Sequence, residues 1–244
     1  MHWILLRGLT REQAHWGDFP RRLEAAFPGH RFHTVDLPGT GVAFRETSPD
    51  TIPAIREWVC RQVAHIPRPV NLLALSMGGM VGQELALRHP GLVRALVLAN
   101  TTSAYPEAAR EVWQQRIATV RTQGIEVIAD AVMGRYFHEG FRAAQAATVA
   151  RYRHRLVTTD AVGYVGCCHA VGTVDTSSRL GAILVPTLVI AGELDQGTPV
   201  AMAQALVDGI AGSRLEVIAD ASHVSAVEQP VVFAELVCGF IGGL

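Results

Sequence analysis

Six short runs along the chain are candidate strands, most of them apolar at nearly every position: Trp3–Leu6, Phe32–Leu37, Val70–Leu75, Arg94–Ala99, Pro186–Ala191 and Leu215–Ala219. A strand with one wet face alternates apolar and polar residues. Runs that are apolar throughout predict strands covered on both faces, as in a parallel sheet. Between them lie stretches with helical spacing. Ile52, Ile55, Val59, Val63 and Ile66 recur at steps of three and four, with Pro53 suited to a first helical turn. A last helix opens near Pro230, carries Phe233, Val237, Phe240 and Ile241 on one face, and ends at Gly242-Gly243. Strand–helix alternation implies right-handed crossovers and a doubly wound, mostly parallel α/β fold.

One region breaks this alternation. From about Ala104 to Ser178 the pattern is helical only, and it reads as consecutive helices over Pro106–Gln123, Ile125–Phe137, Phe141–Leu156 and Asp160–Val171. The expected organisation is a core formed by residues 1–103 and 179–244, with residues 104–178 inserted as a helical cap. Such a cap belongs over the carboxyl edge of the sheet, where open α/β sheets bind ligands.

Composition narrows the chemistry. All 21 basic residues are arginine, so the chain contains no lysine. That excludes a Schiff-base lysine and a Walker-type lysine on a nucleotide phosphate. A formal net charge of -1 gives no basic field for nucleic acid. The apolar run after Met1 is closed by Arg7 and is too short for a signal-peptide core, and no run reaches membrane-span length. The expectation is a soluble, cytoplasmic protein with no membrane partner, a monomer or small homo-oligomer. Cys60, Cys167, Cys168 and Cys238 show no metal spacing, and Cys167-Cys168 reads as a small apolar pair on a helix. Neither a metal nor a cofactor is expected.

The most informative stretch is Val70-Asn71-Leu72-Leu73-Ala74-Leu75-Ser76-Met77-Gly78-Gly79-Met80-Val81-Gly82, an apolar strand running into a serine and then a helix. It resembles the nucleophile elbow of the α/β-hydrolases, G-x-S-x-G, with Ala74 at the first glycine. The turn is so tight that residues two before and two after the serine must be small, which alanine still satisfies. Gly79 and Gly82 would let the helix lie close on the sheet.

The resemblance implies a base and an acid later in the chain, in the order serine, acid, histidine. Asp195 follows the run Pro186–Gly192 at the family's acid position, with Glu193 as the competing carboxylate. His223, in Ala221-Ser222-His223-Val224, follows the last apolar run and is the implied base. His65 and His89 precede proline breaks and read as surface or capping residues. For the oxyanion hole the family uses the N–H after the serine, here Met77, and one from the loop after the first strand. That loop reads Leu6-Arg7-Gly8-Leu9-Thr10, so Leu9 is the candidate and Arg7 stands where the family commonly has histidine. Trp16 matches an aromatic that supports this loop. Asp36-Leu37-Pro38-Gly39-Thr40-Gly41 resembles a further family turn. As a dinucleotide loop it fails, because Phe44 occupies the third glycine's place.

From about Leu75 onward the chain is also similar to 3-oxoadipate enol-lactonases, in Ser76–Gln83, Leu96–Thr101, Arg116-Ile117-Ala118, Ile128–Val132, Thr159–Tyr164, Cys167-Cys168, Val185–Gly192 and Val227–Pro230. The first third departs from them, with Arg7-Gly8-Leu9-Thr10 in place of Asn-Ser-Leu-Gly. The resemblance implies a serine hydrolase that cleaves a small carboxylic ester or lactone through Ser76, His223 and Asp195. A carboxylated substrate would need cations, and Arg7, Arg135 and Arg155 are the candidates. Two alternatives stand beside it. One is a lyase resembling the menaquinone-pathway synthase, separable by its products. The other is a non-catalytic binding protein on the same fold.

Overall fold

The computed structural model describes residues 1–9, 16, 19–38 and 48–244. The Gly39-Thr40-Gly41 turn, Phe44 and Thr10 lie outside the described residues. Six strands, β1 (His2–Leu6), β2 (Arg31–Val35), β3 (Val70–Leu75), β4 (Val93–Ala99), β5 (Thr187–Gly192) and β6 (Arg214–Ile218), form one sheet in the order β2-β1-β3-β4-β5-β6. Every neighbouring pair is parallel.

The apolar runs are explained by what covers each face. Ile4, Leu6, Leu72, Ala74, Leu96 and Leu98 enter one buried cluster, with residues of α2 (Ile52–Gln62) and α3 (Met77–Arg88). Their neighbours Trp3, Leu5, Leu73, Leu75, Val97 and Ala99 enter the other. There they meet α1 (Phe19–Ala26) and α11 (Pro230–Gly242) through Phe19, Leu23, Phe233 and Val237. A two-residue period with both phases apolar is therefore a strand inside two layers. The edge strands β2 and β6 stop at Val35 and Ile218, short of Leu37 and Ala219, because their single partners β1 and β5 end there.

Between β4 and β5 come α4 (Glu107–Gln123), a short 3₁₀ turn (Glu126–Ile128), α5 (Ala129–Tyr136), α6 (Glu139–Ala144), α7 (Ala146–Val157) and α8 (Ala161–Gly172). An antiparallel bridge of Ala104 with Asp175, and the Thr176 N–H bonded to the Ser103 carbonyl at 2.9 Å, tie the two ends of this stretch together. Two expected helices differ in detail. Ile125–Phe137 begins as a 3₁₀ turn, and Phe141–Leu156 divides at Gln145, whose φ of -125° and ψ of 41° leave the helical region. The front half starts earlier, at Glu139, where the His138 imidazole accepts the Phe141 N–H at 3.4 Å. Nothing in Ala-Ala-Gln-Ala-Ala opposes helix locally, and residues 142–147 around the break are exposed.

Cys167 and Cys168 are buried on α8, and burial pushes their thiols up to about 11 and about 12. Both therefore stay neutral, and Cys167, besides packing in the core, lies 2.9 Å from the Ser48 hydroxyl oxygen and donates to the Pro38 carbonyl at 3.7 Å. After β5 the chain forms α9 (Val200–Gly209), and after β6 α10 (Ser225–Glu228) leads into α11. Among the described residues no helix is long and apolar enough to cross a membrane.

Candidate active site

The carboxyl ends of β3, β4 and β5 converge on one place. β3 runs straight into α3 through Ser76, which takes a φ of 57° and ψ of -122°. A positive φ at a non-glycine residue costs about 1–3 kcal/mol and persists only where the surroundings enforce it. Here they do. The Ser76 N–H is held by the Ala99 carbonyl at 2.9 Å, and its carbonyl accepts the Thr101 hydroxyl at 2.7 Å. Small residues make the turn possible. A Cβ at Gly78 would lie 2.7 Å from the Leu6 carbonyl oxygen, and one at Gly82 would lie 2.9 Å from the Ala74 Cβ.

The Ser76 hydroxyl projects to His223, with Oγ 2.9 Å from Nε2. On the other side of the ring, His223 Nδ1 is 2.8 Å from Asp195 Oδ2. Asp195 is 3% exposed, whereas Glu193 is exposed and accepts the Asp220 N–H at 3.3 Å. The two carboxylates therefore separate cleanly, and only Asp195 reaches the imidazole. Asp195 is heavily bonded. Oδ1 accepts the N–H groups of Gly197 at 2.8 Å and Thr198 at 3.0 Å, and Oδ2 accepts the Thr198 hydroxyl at 2.7 Å. Burial alone would raise its affinity for a proton. The imidazole of His223 and the Thr198 bonds outweigh that and hold the carboxyl below the ordinary value.

Asn100 completes this network, and sequence reasoning assigned it no role there. Standing at the end of β4 with a φ of 46°, it donates from Nδ2 to Asp195 Oδ2 and to the Ser222 carbonyl, both at 3.1 Å. Its Oδ1 accepts the Ser225 hydroxyl at 2.6 Å. Thr198 was equally unassigned. The available signal was weak: a short polar residue directly after a buried strand is a candidate for positive φ and local bonding.

Ser76 and His223 border a cavity of about 300 Å³. Its wall includes Leu9, Tyr105, Trp113, Arg116, Arg135 and Tyr136. The Tyr136 ring stacks on the His223 imidazole at 5.7 Å and 17°. Burial and the charge of Asp195 push the Tyr105 phenol up, so it remains neutral. Leu9 is buried beside Ser76, and Met77 opens α3, so its N–H has no acceptor within the helix.

The arginines divide. Arg135 borders the cavity. Arg7 is 2% exposed with its guanidinium 4.4 Å from the centre of the Trp16 ring, and Trp16 in turn packs on Phe19. Neither Arg7 nor Trp16 is among the residues that border the cavity, and Arg155, half-buried on α7, is not either. Arg116, which carried no such expectation, does border it, stacked on Trp113 at 4.5 Å. Burial, and then the like charge of Arg116, lower the proton affinity of Arg135. No carboxylate forms an ion pair with Arg116 or Arg135 among the described residues.

Residues 4–230 match the family described as alpha/beta hydrolase fold. The chain belongs to the alpha/beta hydrolase family. Within this family it is 37% identical over 199 residues to 3-oxoadipate enol-lactonase 2 of Acinetobacter baylyi, covering 81% of this chain and 73% of that one. It is 29% identical over 251 residues to the pimeloyl-(acyl-carrier protein) methyl ester esterase of Aeromonas salmonicida, covering 98% and 94%. The solved structure of the enol-lactonase from Burkholderia xenovorans superposes with a TM-score of 0.91 at 30% identity, over 99% of this chain and 91% of that one.

Proposed function

We propose that this alpha/beta hydrolase cleaves a small carboxylic ester or lactone through an acyl-enzyme on Ser76. The observation that carries the reading is the continuous chain Ser76 Oγ–His223 Nε2 at 2.9 Å and His223 Nδ1–Asp195 Oδ2 at 2.8 Å, opening on a cavity of ligand size. The relatives named as an enol-lactonase and a methyl ester esterase support the same reaction class.

In the first half-reaction Ser76 Oγ bonds to the carbonyl carbon while His223 Nε2 takes the hydroxyl proton. The carbonyl π pair moves to oxygen, where the N–H groups of Leu9 and Met77 are proposed to hold it. Each such donor contributes about 3–4 kcal/mol. Collapse breaks the bond to the leaving oxygen, which receives the proton from His223. Water then attacks the acyl carbon, gives its proton to His223, and collapse returns that proton to Ser76. Asp195 keeps Nδ1 protonated and stabilises the imidazolium at both stages.

The helices between β4 and β5 act as a cap that supplies about half of the cavity wall, including Trp113, Arg116, Arg135 and Tyr136. Two guanidinium groups on one wall, with no carboxylate ion-paired to either among the described residues, favour a substrate that carries its own carboxylate. An enol-lactonase-like activity on a carboxylated lactone fits that wall. The test is a hydrolysis screen of neutral p-nitrophenyl esters and of neutral and carboxylated lactones, run in ¹⁸O-water. Label in the product acid and a preference for carboxylated lactones are expected. Unlabelled product, or activity on neutral esters alone, would remove the corresponding part of the reading.

A further inference from the structure

Glu228 is a buried carboxylate that the acyl-transfer steps do not employ. It closes α10, and both of its oxygens accept backbone amides. Oε2 takes the Ser222 N–H at 2.6 Å, one residue before His223, and Oε1 takes the His138 N–H at 2.9 Å, two residues beyond the end of α5. Two more bonds run alongside. The Ser222 hydroxyl donates to the Arg135 carbonyl at 3.2 Å, and the Val224 N–H donates to the Tyr136 carbonyl at 3.2 Å. Residues 135–138 and 222–228 are therefore fastened to each other by three hydrogen bonds, with the Tyr136 ring stacked on His223 between them and the Glu228–Ser222 bond bracing the second segment internally.

The two fastened segments have different duties. One carries Arg135 and Tyr136 on the cavity wall, and the other carries the imidazole that faces Ser76. The choice of side chain is informative. A carboxylate offers two acceptor oxygens in one plane, whereas the isosteric amide offers one and turns an NH₂ toward the second N–H. Burial raises the proton affinity of Glu228, and the two backbone N–H groups and His138 oppose it. A buried acid kept at that position costs stability unless both bonds are needed.

We propose that Glu228 is a positioning residue that registers the His223 loop against the substrate-bearing wall at Arg135–His138. The inference rests on His223 being the base of the proposed hydrolysis. It predicts that cutting the link misplaces the imidazole relative to Ser76 while leaving the cavity able to accept substrate.

The test is Glu228→Gln, with the exposed Glu235→Gln on α11 as control. A fluorophosphonate counts functional sites by its final labelling extent and reports serine activation by its rate. Turnover of p-nitrophenyl acetate is then expressed per labelled site. The expected result is full labelling extent, with labelling rate and kcat per site down roughly 10- to 100-fold and KM within about twofold. Wild-type kcat per site and labelling rate, with only a lower melting temperature, would show a merely structural carboxylate and overturn the proposal. Should Glu228→Gln fail to fold, Ser222→Ala removes the bond to Arg135 and should reduce kcat per site in the same manner; unchanged kcat per site there overturns the proposal equally. Failure of the underlying reading is distinguishable, because it would appear as a labelled Ser76→Ala protein.

Discussion

Asn100 donates its amide at 3.1 Å to Oδ2 of Asp195, the same oxygen that faces His223. The side chain at the end of β4 thus holds the carboxylate supplied by the loop after β5, and through Ser222 and Ser225 it also holds the loop that carries His223. Asn100→Gly tests this without adding strain, since glycine accepts the φ of 46°. It leaves the Ser222 carbonyl and the Ser225 hydroxyl short of a partner. The expected loss is about 2–4 kcal/mol of stability, given about 1–3 kcal/mol per unsatisfied buried group. Denaturant titration measures the stability, and kcat should fall with KM little changed.

Gly8 lies against the nucleophile. A Cβ there would stand 2.8 Å from the Ser76 Cβ and 3.0 Å from its Oγ. Ser76 cannot yield, because its strained turn is pinned at both ends. Gly8→Ala should therefore lower kcat by roughly 10²-fold through a misplaced hydroxyl. Steady-state kinetics checks this, with circular dichroism to show that the fold is retained.

The pH dependence of stability follows from the Asp195 carboxyl, whose proton affinity is depressed in the folded protein. The folded state binds that proton less readily than the unfolded chain does. The stabilisation is therefore complete above the ordinary aspartate value of 3.8 and is lost as pH falls through the folded value. Glu228 acts in the opposite sense: its raised affinity adds stability below the ordinary glutamate value, lost as pH rises through the folded one. Asp195→Asn should flatten the acid side of a melting-temperature profile and lower kcat by about 10⁴-fold. An unchanged acid slope would contradict the assignment of the shift.

Arg116 and Arg135 give a specificity prediction. Each replaced by glutamine should raise KM for a carboxylated lactone about tenfold or more, the scale of a charge-assisted hydrogen bond. KM for a neutral p-nitrophenyl ester should hardly change. Arg155→Gln, outside the cavity wall, should leave both substrates unaffected. The comparison of KM across the two substrates decides the matter.

What could be read in advance follows a physical rule. β3, β4 and β5 are buried on both faces, so they read as mainly apolar runs, interrupted only at Asn71, Arg94 and Thr187. The elbow at Ser76 is legible because local sterics demand small residues at Ala74 and Gly78. α1 escaped notice because only Phe19 and Leu23 of its eight residues are buried, too few to show a period. The break at Gln145 has no local cause. The arginine facing the cavity depends on how each helix is rotated once packed, which is why Arg116 reaches the cavity and Arg155 does not. Asn100 and Glu228 acquire partners through tertiary structure, from residues 90 to 125 positions away, whereas Thr198 bonds Asp195 three positions back in a local turn whose importance shows only once His223 is brought against it.

The central claim is that Ser76 is the activated nucleophile, and covalent capture tests it most directly. Treatment with a fluorophosphonate followed by peptide mass spectrometry should place a single adduct on Ser76 in the wild type. No adduct should form in Ser76→Ala, and labelling of His223→Ala should be slowed by orders of magnitude. An adduct that persists in Ser76→Ala, or forms at the wild-type rate without His223, would contradict the account.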